Sequence, residues 1–222
     1  GGGGRRGHDG GMRLTKHGHA CVRLEKDGST LVIDPGGLTE ESAIEGANAV
    51  LITHEHFDHL EVKRLASLGP DVQVWTCAGV AAQLDGLSAK VNVVGDGDSF
   101  TAAGFEVGVA GREHAMIAFD VPVVQNVGFL IDGEVFHPGD AFTVPPQPVG
   151  TLLTPTSGPW MKAPEMVDYL LEVAPRRAYS IHDGLYNDVG LMLVDAILTR
   201  RGKAQEGDFR RLRTGESVLL DA

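Results

Sequence analysis

Apolar positions along this chain come mostly in short runs that alternate with polar ones, or fill completely, before a turn cuts them. The run opening at Met12 and the segments 20–26, 30–34, 49–53 and 72–76 read as strands, rich in Val, Ile, Leu and Thr. Segments 91–94, 104–111, 127–132, 134–137, 151–154, 177–181 and 217–221 continue the pattern. Asp27-Gly28 and Asp132-Gly133 mark tight hairpins. Helical spacing is rarer and predicts helices over 60–68, 79–84, 163–173 and 188–200. In the last, Val189, Met192, Leu193, Ala196 and Ile197 form a stripe expected to face a core. Two blocks of strands with helices, and no Ser- or Pro-rich linker, predict sheets packed on each other and covered by helices.

Composition narrows the class. With 222 residues, 42% hydrophobic and 22% charged, the chain fits an ordinary globular protein. Residues 1–11 are glycine-rich and lack apolar periodicity, so they are expected to be a flexible leader or non-native extension, with one domain over 12–222. No apolar run approaches a membrane span, and no signal-peptide layout is visible, so a cytoplasmic protein is expected. A net charge of −11 argues against nucleic acid as a partner; the basic segment 200–213 reads as a solvated surface. Cys21 and Cys77 sit in apolar runs and are expected to be buried free thiols. A homo-oligomer is compatible with the sequence, but nothing in it argues for one.

The chemistry concentrates in Ala49-Val50-Leu51-Ile52-Thr53-His54-Glu55-His56-Phe57-Asp58-His59, where an apolar strand runs into three imidazoles and a carboxylate. Bunching such groups costs desolvation, and protonated histidines repel, unless a cation organises them. Neutral imidazole is the commonest protein ligand for zinc and similar ions. If strand geometry continues, His54 and His56 point the same way, while Asp58 and His59 turn to face a neighbouring position.

This His-x-His-x-Asp-His run resembles the motif of the metallo-β-lactamase fold superfamily, and the later elements follow in that family's order: Arg112-Glu113-His114-Ala115, His137-Pro138-Gly139-Asp140 and Ile181-His182-Asp183. The resemblance implies an α+β chain with an αββα four-layer sandwich, two mixed sheets face to face with helices outside. It further implies two divalent metal ions, zinc first, with manganese or iron admitted. His54, His56 and His114 would hold one ion, Asp58, His59 and His182 the other, and Asp140 would bridge. The implied reaction is hydrolysis of a small-molecule ester, lactone or phosphodiester by a metal-bridged hydroxide, with Asp58 and Asp140 as the catalytic carboxylates. A different class, a diiron redox or metal- or ligand-sensing protein on the same fold, is the alternative.

Around this set, Asp34 in Val32-Ile33-Asp34-Pro35 is expected to hydrogen-bond and orient a ligand or the motif loop. Glu55 reads as a solvated or bracing residue, His137 as structural, and Asp183 as exposed or bracing His182. The role of His19, in a Gly-His-Ala element, stays open between bracing the site and packing the first hairpin. Segments 121–130 and 154–162 are expected to shape a pocket, with Trp160 packing under a helix instead of forming a wall. Ser157 lacks a nucleophile's setting. The short chain, the motif and the early Gly-His-Ala resemble the branch of metal-dependent hydrolases related to ascorbate-phosphate lactonases and N-acyl-phosphatidylethanolamine phospholipase D.

Overall fold

Three tight hairpins recur among the described residues: Asp27-Gly28 and Ala103-Gly104 are two-residue turns, and Asp132-Gly133 opens a three-residue connection to Val135, all six residues having positive φ. That geometry matches the right-handed twist of the strands it joins. The computed structural model describes residues 11–221; most of the expected leader lies outside them. Among the described residues fourteen strands form two sheets. The first sheet holds β1 (Met12–Lys16), β2 (Val22–Lys26), β3 (Ser29–Ile33), β4 (Ala49–Ile52), β5 (Gln73–Thr76), β6 (Lys90–Val93) and β14 (Ser217–Leu220), in the order β14-β1-β2-β3-β4-β5-β6. The second holds β7 (Ser99–Ala102), β8 (Phe105–Ala110), β9 (Gly128–Ile131), β10 (Val135–His137), β11 (Thr151–Pro155), β12 (Arg177–Ile181) and β13 (Asp208–Arg210), in the order β13-β12-β11-β10-β9-β8-β7.

Each sheet is antiparallel over one half and parallel over the other. The pairings make β1, β3 and β4 run in one sense in the first sheet, and β8, β10, β11 and β12 in one sense in the second. Their carboxyl ends carry the loops of the candidate site, as open sheets with parallel strands commonly arrange. Leu14, Leu24 and Ile33 of one sheet share a core with Phe105, Phe129 and Ile131 of the other. Leu152, Met166, Leu170 and Leu198 form a second core that joins the outer sheet to α3 (Ala163–Val173) and α4 (Asp188–Gln205). These layers are the α+β sandwich expected from the sequence. No helix among the described residues is long and apolar enough to cross a membrane.

Several elements differ from the sequence reading. The helices expected at 60–68 and 79–84 shrink to single turns, α1 (Val62–Leu65) and α2 (Ala78–Ala81). Leu60 is still tied to the motif turn through His56 O, and Ser67 and Leu68 close with i→i+3 bonds. Strands β7 and β13 were not expected. α4 runs on to Gln205, and its core face is not the expected stripe. Val194, Leu198 and Gly202, spaced four apart, are buried, whereas Val189, Met192 and Leu193 are exposed. The cysteines are buried and free, as expected.

The helix face is testable. Leu198→Ala removes a fully buried side chain and is expected to cost about 2–5 kcal/mol, while Met192→Ala stays within about 0.5 kcal/mol. Urea unfolding of both variants checks this; equal losses would reinstate the Met192 stripe as the core face.

Candidate metal centre

Asp34 follows β3, and its fully buried carboxylate organises the neighbouring strand end. Oδ1 accepts the Thr53 N–H at 2.8 Å, and Oδ2 accepts the Thr53 hydroxyl at 2.7 Å and His59 Nδ1–H at 2.6 Å. Because the one Thr53 hydroxyl proton goes to Asp34, Thr53 Oγ1 faces His54 as an acceptor. The 2.9 Å contact therefore puts the proton of His54 on Nδ1. His114 Nδ1–H donates to Ala115 O at 2.5 Å. Three imidazoles thus have their tautomer set from outside, and each turns the lone pair of Nε2 inward.

The inward side is acidic. Asp140 Oδ2 lies 3.1 Å from His114 Nε2, 2.9 Å from His182 Nε2 and 3.5 Å from His54 Nε2; its Oδ1 lies 3.0 Å from His59 Nε2. Asp140 is itself held by Asn126, whose Oδ1 accepts the Asp140 N–H at 3.0 Å and whose Nδ2 donates to Pro138 O at 2.9 Å. Two sets of donor atoms result, each lying within 4.8 Å of one another: His54, His56, His114 and Asp140, and His19, Asp58, His59 and His182. All seven ligand candidates named from the sequence are brought together, with Asp140 in contact with both sets.

His19 joins the second set in a different capacity. Its Nδ1 accepts the Gly184 N–H at 3.1 Å, so Nε2 carries the proton and donates to Asp58 Oδ2 at 2.8 Å. It braces a ligand candidate instead of offering a lone pair. His182 is anchored through its backbone: its N–H donates to His19 O, and Ser157 Oγ donates to its carbonyl. Of the remaining residues, His137 donates to Ala20 O at 2.8 Å, Glu55 accepts from Gln83, and Asp183 pairs with the buried Lys16 at 2.9 Å.

The electrostatics agree with the geometry. Burial, with His59 beside it, pushes the pKa of His54 well below the ordinary value, so His54 is neutral. Burial also opposes charge on His59, but Asp140 and Asp34 outweigh it and raise its pKa well above normal; His182 is raised too, by Asp140 and Asp58 against its burial. Burial disfavours charge on Asp58 and Asp140, yet the surrounding imidazoles hold both carboxyls below their usual range. Buried lone pairs facing buried carboxylate oxygens repel unless a proton or cation lies between them. Imidazole nitrogens and ionised carboxylate oxygens, with His54 Nε2, His59 Nε2 and Asp140 Oδ1 buried and unpartnered, fit divalent cations of the zinc, manganese or iron type.

Two glycines let the backbone close around these groups. A side chain at Gly36 would overlap the Asp58 carbonyl and the His59 nitrogen. Gly139 has φ +66, and a side chain there would strike Asn126 and Thr53. Above the centre lies a cleft of about 310 Å³ lined by His56, Phe57, Asp58, His114, Ile117, Asp140, Pro159, Trp160, His182 and Leu185. Trp160 is a wall of this cleft, contrary to the sequence reading, while Phe142, packed between its ring and that of Tyr169, links it to α3. The segment 154–162 shapes the cleft as expected. In 121–130 the polar residues do not line it: Gln125 binds the Gly79 N–H and Asn126 serves the Asp140 loop. Asn126, Thr53 and the cleft walls Phe57, Ile117 and Leu185 were not singled out from sequence for these roles.

Two measurements check this arrangement. Asp34→Ala removes no inward donor, yet it is expected to weaken metal binding about 10–100-fold in a chelator competition; unchanged affinity would remove Asp34 from the site. Metal binding near pH 7.5 is expected to release about one to two protons to the buffer, because the cation displaces protons that the raised pKa values of His59 and His182 retain. Calorimetry in buffers of different ionisation enthalpy reads that release, and no buffer dependence would contradict it.

A beta-lactamase superfamily domain matches residues 13–182. Protein Rv0786c of Mycobacterium tuberculosis is 39% identical over 183 residues, covering 78% of this chain and 85% of that protein. A UPF0173 metal-dependent hydrolase of Aeropyrum pernix is 28% identical over 150 residues, 58% of this chain and 61% of its own. The solved structure of Igni18, a metallo hydrolase of Ignicoccus hospitalis, shares the fold with a TM-score of 0.72 over 96% of this chain and 99% of that one, at 18% identity. By fold and by sequence the chain belongs to the beta-lactamase superfamily, in its metallo-β-lactamase form, and is a metal-dependent hydrolase.

Proposed function

We propose that the centre holds two divalent ions, zinc by preference, and hydrolyses a small-molecule ester, lactone or phosphodiester. His54, His56 and His114 would bind one ion, Asp58, His59 and His182 the other, and Asp140 would join them. The observation that carries this reading is the contact of one carboxylate, Asp140, with imidazoles of both donor sets. Ions bound there supply Lewis acidity toward a carbonyl or phosphoryl oxygen and make water nucleophilic near neutral pH.

The chain's own groups do the positioning. Asp58 and Asp140 both line the cleft, where they meet substrate. Asp58 Oδ2 is engaged by His19, which leaves Oδ1 to take a proton from the attacking water and pass it to the leaving oxygen. Asn126 and the absence of a side chain at Gly139 keep Asp140 from rotating away. Trp160, Ile117 and Phe57 restrict water above the centre, which strengthens the electrostatic interactions inside it.

Metal content by plasma mass spectrometry, for the wild type and Asp140→Ala, tests the reading alongside hydrolysis of a generic ester, lactone and phosphodiester. About two equivalents are expected in the wild type and fewer in the variant, with kcat/KM reduced by about 10³-fold or more. A variant that keeps its metal and its activity would refute the shared role of Asp140.

A further inference from the structure

Apart from the ligand candidates, every residue lining the cleft is apolar: Phe57, Ile117, Pro159, Trp160 and Leu185. Phe57 and Leu185 stand at its mouth with 67% and 50% exposure, although neither is held there by a core. Among the described residues, no Lys or Arg lines the cleft. Arg112, the nearest arginine in sequence to His114, turns to Asp96 at 3.0 Å, and Lys16, next to the first hairpin, is buried against Asp183 and Ser180 O. A phosphate or carboxylate group placed beyond the metal centre would find no cation to bind. A sugar would find no hydroxyl or amide among the lining side chains. The net charge of −11 further opposes the approach of anions.

We infer that the cleft receives an aliphatic acyl chain, so that the substrate is an uncharged ester or lactone of a medium-length aliphatic acid. The inference rests on the hydrolytic reading above and names the substrate class within it. Hydrolysis adds the oxygen of one water to the carbonyl carbon and breaks the acyl C–O bond. One proton of that water ends on the alcohol and the other leaves to solvent as the acid ionises. Leu185, Phe57, Ile117 and Trp160 act on the chain, not on the reacting carbon, and so set specificity.

The test has two arms on the metal-loaded protein. Para-nitrophenyl acetate, butyrate, hexanoate and octanoate are compared with bis(para-nitrophenyl) phosphate, and kcat/KM is expected to rise about two- to fourfold per methylene, with the diester the poorer substrate. Leu185→Ser is expected to cut the octanoate-to-acetate ratio about tenfold. In the second arm, acetate to octanoate are titrated against tryptophan fluorescence, with Trp160→Phe to identify the reporting residue. Affinity should rise with chain length and do so less in Leu185→Ser. A flat chain-length profile in both arms, or preference for the diester, overturns the inference. Rising alkanoate affinity without cleavage of any ester upholds the acyl cleft and instead defeats the hydrolytic reading.

Discussion

An imidazole lone pair and a carboxylate oxygen, both shielded from water, repel each other. This protein sets His59 Nε2 and His114 Nε2 at 3.0 and 3.1 Å from Asp140. In the neutral rings the single proton sits on the other side, held by Asp34 and Ala115 O, so each nitrogen meets Asp140 favourably only after gaining a second proton or a cation. The arrangement is favourable only with positive charge between the groups, as protons or as a cation. Much of the architecture serves to keep this unfavourable set together. The Asp34–Thr53 pair ties two strand ends, Asn126 locks the Asp140 loop, and Ser157 and His19 anchor His182 by its backbone.

The sheets make that concentration affordable. Loops that leave strands running in one sense emerge at one edge, so His19, Asp34, His54, His114, Asp140 and His182 meet although they span much of the chain. Cores on both sides of the second sheet hold those strands at fixed spacing. The same edge leaves a cleft whose walls come from loops rather than strands. The candidate metal ligands therefore sit at the ends of the rigid frame, and the apolar walls of the cleft sit on loops, where the chain can vary.

What could be read from the sequence follows from how local each signal is. His54, His56, Asp58 and His59 lie within six positions after an apolar strand, and their crowding has no cheap explanation without a cation. Asp34 was legible as an orienting residue because Val32-Ile33-Asp34-Pro35 matches the early-strand Asp of the family the chain resembles, whereas its position before Pro35 alone would read as an ordinary strand end. Asn126 was not, since an amide that serves a distant backbone looks like any loop asparagine. β13 is three residues, two of them charged, and declares itself only by pairing with β12. α4 carries apolar residues on more than one face, so packing against Phe209 and its neighbours, not periodicity, decides which is buried. Trp160 belongs both to the α3 packing and to the cleft, a division no pattern along the chain reveals.

The measurement that most directly tests the central claim is anomalous diffraction from crystals grown with zinc or manganese. The account predicts two peaks, one among His54, His56 and His114 and one among Asp58, His59 and His182, with Asp140 touching both and His19 touching neither. A single peak away from Asp140, or a fully ordered centre with no peak in the presence of excess metal, would contradict it.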